Sequence, residues 1–349
     1  MAALPLGVEA RFLDPSPDAT ARALGELIVG ELGDERALER VTAGVDVATY
    51  EWEGVPAAGA RFVEARVPVR PAPVALEVAQ DRLVEKQTFA RLGIPVAPFA
   101  AIDGPDDVTR AVEQVGLPAR LKTRRGGYDG KGQQLVRTVD DARDAWQKLG
   151  GVPLIAEADV AFDRELSVLA ARGVDGTTAC YPLVENEHAH GILRVSRAPA
   201  PQVEHARQAE AESIATRLLD DLDYVGVLAV ELFECGGSLL ANEVAPRVHN
   251  SGHWTIEGAV TSQFEQHLRA VLGWPLGDAS ARGVAAMVNC VGALPDPADV
   301  LAVPGAHLHD YEKKPRRGRK VGHVTVVADD DDTLTERVAR VRALQHDDG

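Results

Sequence analysis

The sequence predicts an α/β protein built from two or three compact units that share one continuous architecture. Three observations carry this reading. The chain has 349 residues, more than one simple module needs and fewer than three large ones. Hydrophobic residues make up 45% and charged residues 26%, the composition of a globular chain rather than a disordered or fibrous one. Short β-prone runs alternate with helical ones, the pattern of a parallel, doubly wound sheet whose ligands sit beyond the carboxyl ends of the strands.

Residues 8–13 alternate apolar and polar side chains and then meet Asp14-Pro15-Ser16-Pro17, a strand closed by a turn. Residues 46–50 read as a second strand that delivers Glu51 and Glu53 at its carboxyl end. A helix is predicted over 81–92, stopped by Gly93 with Pro95 behind it. The proline-punctuated crossing at 94–99 marks a first boundary. Residues 100–172 are β-rich with helices at 105–115 and 140–149. Strands follow from about 175, with a long helix at 202–219, another near 261–272 and a final amphipathic one at 333–344. No internal repeat or low-complexity tract interrupts this order.

Lysines and arginines number 37 against 53 acids, a net charge of −16. Such a surface repels polyphosphate, which argues against general nucleic-acid or anionic-membrane binding. An anionic ligand must therefore meet local basic clusters. Cys180, Cys235 and Cys290 show no C-x-x-C spacing, and an odd count fits packing thiols in a reducing cytosol. No stretch approaches the roughly 20 apolar residues of a membrane span. The apolar start lacks a basic region and reaches Glu9 at once, so a soluble, cytoplasmic protein is expected.

Residues 121–133 are the most informative stretch. Gly126, Gly127, Gly130 and Gly132 make a loop whose amides can approach an anion closely, and Lys122, Arg124, Arg125 and Lys131 add positive charge. Phosphate cradling is the functional reading, and a hairpin tip with solvated charges is the alternative. No G-K-[ST] opens a helix here, so the loop is not a Walker A loop.

Residues 225–233 form a β-prone run, Gly236-Gly237-Ser238 a turn, and 239–244 a returning strand. A three-residue loop over 236–238 pairs 235 with 239 and brings Glu231 opposite Glu243, with Asn242 beside them. A two-residue loop would put the two acids on opposite faces. Facing carboxylates repel unless a cation lies between them, and oxygen ligands with substrate phosphates suit Mg²⁺. Ordinary acids on a solvated hairpin are the alternative. Next comes Arg247-Val248-His249-Asn250-Ser251-Gly252-His253. Its histidines have i,i+4 spacing, but Gly252 interrupts and no Glu follows the first, which disfavours zinc. A loop offering Arg247 and imidazole donors to an oxyanion is better motivated. Finally, residues 313–320 carry six basic side chains in eight positions, broken by Pro315 and Gly318 before a strand at 322–327. In so acidic a chain this suits one phosphate monoester better than a nucleic acid, with a solvated loop as the alternative.

These segments, in this order, resemble the ATP-grasp superfamily and, within it, the bacterial 5-(carboxyamino)imidazole ribonucleotide synthetase family. The matching stretches are Lys122-Thr-Arg-Arg-Gly-Gly-Tyr-Asp-Gly-Lys-Gly-Gln133, Phe162-Asp-Arg-Glu-Leu-Ser-Val168, Asn242-Glu-Val-Ala-Pro-Arg-Val-His-Asn-Ser-Gly-His-Trp-Thr255 and Gly318-Arg-Lys-Val-Gly-His-Val-Thr325. Tyr50-Glu-Trp-Glu53 and Asn186-Glu-His188 fit as well. The resemblance runs from about residue 4 to the end.

The resemblance implies an α/β ATP-grasp fold in three domains. These are a doubly wound pre-ATP-grasp domain over 1–98, a lid over 99–172, and a larger α+β domain with a C-terminal segment over 173–349. It implies ATP held by Arg82, Lys122, the loop of Gly127, Tyr128, Asp129, Gly130, Lys131, Gly132 and Gln133, and the hinge of Glu157, Ala158, Asp159 and Val160. Glu165 would meet the ribose, and His188, Asn242 and Glu243 would complete the site. Glu231 and Glu243 would hold Mg²⁺. The ribotide would meet Tyr128, Asp129 and Lys131, an acid among Glu51 and Glu53 with Glu51 preferred, His249, Asn250 and Ser251, and Lys313, Arg319 and Lys320. Asp129, Lys131, Arg247 and Lys313 are the catalytic candidates, with Asp129 orienting or deprotonating the amine.

The implied reaction joins ATP, bicarbonate and aminoimidazole ribonucleotide through carboxyphosphate, and the family leads one to expect a homodimer. One departure stands out. The family opens with a strand, a G-x-G-Q-L-G turn and a helix, whereas this sequence starts inside the region of that helix, so the first strand and turn are expected to be missing. A non-catalytic ATP-binding homologue, or another ATP-grasp ligase using formate or an amino acid, are the competing expectations.

Overall fold

The computed structural model describes residues 1–127 and 130–345. The chain begins with β1 (Arg11–Asp14), β2 (Glu26–Val29), α1 (Glu35–Thr42), α2 (Ala57–Glu64), α3 (Pro73–Ala79) and α4 (Arg82–Arg91). β1 and β2 pair in parallel. The strand expected over 46–50 shrinks to one parallel bridge between Ala48 and Val69. Pro68 and Pro71 flank Val69 and have no N–H to extend a ladder. The helix expected over 81–92 is α4. The Asp81 side chain caps it at Leu83 N–H, and Gly93 leaves it with φ +66°.

A four-stranded antiparallel sheet follows, built from β3 (Phe99–Ile102), β4 (Ala119–Thr123), β5 (Gln133–Val136) and β6 (Leu154–Ala158) in the order β3-β6-β4-β5. Helices α5 (Asp107–Val115) and α6 (Val139–Lys148) cover it. Ile102, Val112, Leu121, Val136, Trp146 and Leu154 make its core, a small body closed by its own apolar surface.

The remaining strands form one nine-stranded sheet. They are β7 (Arg164–Arg172), β8 (Thr178–Cys180), β9 (Val184–Ala189), β10 (Ile192–Ala198), β11 (Gly226–Cys235), β12 (Ser238–Ala245), β13 (Val284–Gly292), β14 (Ala306–Asp310) and β15 (Arg316–Ala328). The path is β12-β11-β7-β9-β10-β13-β15-β14, with β8 beside β7. β7 therefore belongs to the large sheet, whereas the boundary at 172 had grouped it with the lid. Nine residues of β7 pair with β11, a longer ladder than any within the lid.

Helix α7 (His205–Asp221) packs Ile214 and Leu218 against Val168, Leu228 and Val230 of this sheet. It begins after Gln202, which the sequence reading had placed inside it, because Gln202 sits at φ +54° and leaves the helical region. Helices α8 (Thr255–Gly258), α9 (Gln263–Leu272), α10 (Pro297–Leu301) and α11 (Asp331–Ala343) complete the chain. The strand expected at 322–327 starts earlier, at Arg316, so the basic run from Arg316 to Lys320 is sheet rather than loop. Cys180, Cys235 and Cys290 are free thiols. No helix among the described residues is long and apolar enough to cross a membrane.

His267 of α9 ties three parts of the fold together. Its Nδ1 accepts from Val227 N–H of β11 at 3.1 Å, and its Nε2 lies 2.8 Å from Thr49 Oγ1. An Nδ1 that accepts leaves the proton on Nε2, so the ring is neutral, and burial pulls its pKa down to about 4. The folded value lies below the unfolded one, so this contribution is present above pH 6.5 and is lost as pH falls toward 4. His267→Gln is expected to flatten the acid limb of stability between pH 6 and 4.5 by about one proton, ~1.4 kcal/mol per pH unit. Chemical denaturation at several pH values checks this.

Candidate active site

The sheet of the lid and the edge of the large sheet face each other across a cleft of about 800 Å³, within the usual range for a small-molecule site. On the lid side, β4 and β5 pair Lys122 with Gln133. The glycine loop is thus the connection of a hairpin whose roots are fixed. Gly132 has φ +72°, and a Cβ there would lie 2.7 Å from Thr123 Oγ1. Gly132→Ala therefore strains the loop by about 1–3 kcal/mol. The expected result is a KM for ATP raised roughly tenfold or more with kcat changed less than about threefold, read by steady-state ATP titration. Gly127, Gly130, Lys131 and Gln133 line the same wall. Tyr128 and Asp129 lie outside the described residues.

Arg124 and Arg125 line the cleft and are also tied to Asp81 at the root of the loop. Arg124 forks onto Asp81 at 3.0 and 2.8 Å, and Arg125 reaches the same carboxylate at 3.3 Å. Asp81 thereby caps α4 and anchors the root of the loop at once.

Lys122 is buried with Nζ 3.1 Å from Glu157 Oε2, and Lys86 Nζ approaches the same oxygen at 3.3 Å. Burial would raise the Glu157 pKa, but Lys86 and Lys122 override it and hold the carboxylate down to about 2. Burial also lowers Lys122. Glu157 Oε1 is buried with no hydrogen-bond partner among the described residues, an acceptor open to a ligand donor. Ala158, Asp159 and Val160 continue the wall, and Asp159 is held by Arg120 at 2.7 Å. Glu165 and His188 meet across β7 and β9 at 2.8 Å. Burial would lower the His188 pKa, and the Glu165 bond outweighs it.

The large-sheet wall is the β11–β12 hairpin. Glu231 does stand opposite Glu243, as expected, but by another route. The turn is the two-residue Gly236-Gly237, both at positive φ, with Cys235 paired to Ser238. That register alone would separate the acids. A bulge at Asn242 then shifts it by one residue, because Leu232 pairs with Ala241 while Glu231 pairs with Glu243. Its signal in the sequence is the spacing of core residues: Leu239, Ala241 and Val244 are all buried in one cluster, a step of two and then of three. Burial and the facing carboxylate push Glu231 up to about 8. Burial would raise Glu243 too, but Arg82 at 3.0 Å holds it below the ordinary range.

Arg247 lies at the end of the hairpin and pairs with Glu53 at 2.5 Å. Glu53 lines the cleft, whereas Glu51, the preferred acid in the sequence reading, is exposed and outside the lining. The chain bends at Glu51 and turns at Glu53, so no strand pleat holds the two acids on one face. His249 has its Nδ1 on Ser251 Oγ and its Nε2 3.5 Å from Glu231, and burial drives its pKa well down. His253 points instead to Gln263 at 3.0 Å, so the two histidines do not converge on a metal.

Asn250 lines the cleft while exchanging bonds with Asn289 at 3.1 and 2.6 Å. Ser251 does not reach it. Ser251 is fully buried, bonded to Ser167 and His249, and supports the wall from behind. Of the basic run, Lys320 lines the cleft; Lys313 and Arg319 do not. Lys313 Nζ sits 5.0 Å over the Tyr311 ring, and Arg319 reaches the Lys314 carbonyl at 3.4 Å.

Several lining residues escaped the sequence reading. Lys86 shares a helix face with Arg82 by i,i+4 spacing, and Arg120 shares a strand face with Lys122. Phe162 and Phe233 stack at 4.7 Å on the cleft.

Comparisons with known proteins agree with the three-domain α/β fold. A family model described as the ribonucleotide synthetase preATP-grasp domain matches residues 1–80. The ATP-grasp domain matches 87–264, and the phosphoribosylaminoimidazole carboxylase C-terminal domain matches 285–337. The chain is 50% identical over 344 residues to N5-carboxyaminoimidazole ribonucleotide synthase of Pseudomonas aeruginosa, covering 99% of this chain and 95% of that one. It is similar to the crystal structure of the Thermus thermophilus N5-carboxyaminoimidazole ribonucleotide synthetase, with a TM-score of 0.95, 56% identity and coverage of 99% and 94%. The Aspergillus clavatus synthase, solved with ADP and 5-aminoimidazole ribonucleotide, aligns at a TM-score of 0.90 and 30% identity over 98% and 93%. The chain belongs to the N5-carboxyaminoimidazole ribonucleotide synthase family of ATP-grasp ligases.

Proposed function

We propose that this enzyme uses ATP and bicarbonate to carboxylate the exocyclic amine of 5-aminoimidazole ribonucleotide, giving N5-carboxyaminoimidazole ribonucleotide for purine biosynthesis. The carrying observation is that Glu231 and Glu243 face each other in one cleft with Lys122, Arg247 and the glycine loop. The ligand pair in the Aspergillus relative supports the same pairing of substrates.

ATP is assigned to Arg82, Lys122, the 127–133 loop, the 157–160 hinge, Glu165, His188, Asn242 and Glu243. The donor set at Glu231 and Glu243 fits Mg²⁺: two facing carboxylates, one of them pushed up to about 8 by burial and its neighbour, gain most from a cation that takes oxygen ligands. No group of three or more His, Cys, Asp or Glu among the described residues could hold a metal alone, so the other ligands would be phosphate oxygens and water. When bound, Mg²⁺ neutralises charge on the transferring phosphoryl group.

In the first step a bicarbonate oxygen bonds to the γ-phosphorus, the bond to the bridging oxygen breaks, and ADP leaves. Lys122, Lys131 and Arg247 are assigned to the charge of the product, carboxyphosphate. In the second step the amine nitrogen bonds to the carboxyl carbon, directly or after carbon dioxide is released in the closed site. The bond to phosphate breaks and the amine proton passes to a base, for which Asp129 is the candidate. Lys320, which lines the cleft, is assigned to the ribotide phosphate, with Lys313 and Arg319 adding positive charge from outside the lining, and Glu53 rather than Glu51 is assigned as the acid that meets the ribotide. A homodimer in the cytoplasm is part of the proposal, and light scattering at twice the chain mass tests the assembly.

The test of the reaction is phosphate release from Mg·ATP and bicarbonate, with and without 5-aminoimidazole ribonucleotide. Release that requires the ribotide is expected. Tight ATP binding with no ribotide-dependent release would overturn the proposal in favour of a non-catalytic nucleotide binder.

A further inference from the structure

The bulge that brings Glu243 opposite Glu231 lies on β12, the edge strand of the large sheet. An edge strand offers unpaired backbone groups, and a bulge adds to them. Here those groups meet side chains from one face of α4. Lys86 Nζ donates to the Asn242 carbonyl at 2.6 Å and reaches the Ala241 carbonyl at 3.4 Å. Glu85 Oε1 accepts from Val244 N–H at 2.7 Å. One turn earlier, Arg82 meets the Glu243 carboxylate at 3.0 Å. The Ala241 N–H goes to the Pro95 carbonyl at 2.8 Å, just beyond the end of the same helix.

Residues 82, 85 and 86 share a helix face by their spacing. Glu85 and Lys86 are each only 2% exposed, which is rare for charged side chains unless they are partnered. Lys86 also touches Glu157; the bond Glu85 makes to the hairpin goes to backbone alone. Without the bulge, the register of the two-residue turn would continue. Asn242 would then stand opposite Glu231, and Glu243 opposite Val230 on the face that packs in the core.

We propose that α4 is a register clamp for the carboxylate hairpin: Glu85 and Lys86 are positioning residues that satisfy the bulge at Asn242 and so keep Glu243 on the cleft face. The apolar spacing of Leu239, Ala241 and Val244 favours a bulge, and the clamp fixes where it sits. The functional half of this proposal rests on the metal role assigned to Glu231 and Glu243.

The test compares Glu85→Leu, which removes the acceptor, with Glu85→Gln, which keeps an oxygen in the same place. Two readouts are needed: amide hydrogen exchange at Val244, and ADP affinity with and without Mg²⁺. Glu85→Leu is expected to speed Val244 exchange at least about tenfold and to shrink the Mg²⁺-dependent gain in ADP affinity about tenfold, with metal-free affinity within about threefold. Glu85→Gln should match the unsubstituted protein in both. Unchanged exchange and an unchanged Mg²⁺ gain in Glu85→Leu would overturn the clamp. If the unsubstituted protein shows no Mg²⁺ gain, the metal reading falls, and exchange at Val244 still decides the clamp. Should Glu85→Leu fail to fold, Glu85→Ala, which removes the same acceptor without added bulk, is compared with Glu85→Gln by the same two readouts.

Discussion

Glu243→Gln is expected to lower ribotide-dependent phosphate release by roughly 10³-fold, the loss typical of removing one group that stabilises transition-state charge. Three consequences of the substitution act together. The facing pair loses Glu243, the member that Arg82 holds ionised, so a cation between the strands loses one of its two carboxylate ligands. Arg82, whose guanidinium lies 3.0 Å from the Glu243 carboxylate, loses its ion-pair partner at the cleft wall. The backbone is untouched, since glutamine is nearly isosteric and the bulge at Asn242 is satisfied by other side chains. Single-turnover and steady-state rates at saturating ATP read the loss. A thermal midpoint within a few degrees of the unsubstituted protein would show that the fold survives.

Arg247→Ala is expected to cost about 10²–10³-fold in kcat while the KM for ATP shifts less than about threefold. Arg247 stands at the end of the hairpin rather than in the hinge or the glycine loop, so the nucleotide keeps its own contacts. The substitution also strands Glu53. Burial already raises the Glu53 pKa, and Arg247 is the largest opposing influence, so its loss raises that pKa further. A double-mutant cycle of Arg247→Ala with Glu53→Gln is expected to be non-additive by about 1–3 kcal/mol in ΔΔG‡. Additive effects would mean that the 2.5 Å pair is incidental to the reaction.

What could be read from the sequence follows from how local each signal is. Helix α4 was legible because Asp81 and Gly93 mark its ends by capping chemistry that involves only neighbouring residues. The opposition of Glu231 and Glu243 was legible as an outcome but not as a mechanism. Counting from the turn assumed a regular ladder, whereas the structure combines a shorter turn with a bulge. The residues that stabilise the bulge come from α4, about 160 positions earlier in the chain.

Lys86 was invisible for a related reason. A lysine in a helix normally covers a solvated face, and only the docking of α4 against β12 buries it between Glu157 and a backbone carbonyl. Which of Glu51 and Glu53 lines the cleft was not legible, because only a single bridge at Ala48 forms there and the chain then bends and turns through 51–54. Ser251 matched a motif yet lies behind the wall, which composition and spacing do not report. The competing expectation of a formate or amino-acid ligase is not favoured by relatives that share the synthase name over nearly the whole chain.

The central claim is that bicarbonate, and not water, attacks the γ-phosphorus of ATP in this cleft. It is tested most directly by running the reaction with ¹⁸O-labelled bicarbonate, ATP and 5-aminoimidazole ribonucleotide, and weighing the phosphate released. Attack through a bicarbonate oxygen, followed by cleavage of the carboxyl carbon–oxygen bond, leaves one labelled oxygen in each phosphate. Phosphate free of label, released at the rate of carboxylation, would contradict it.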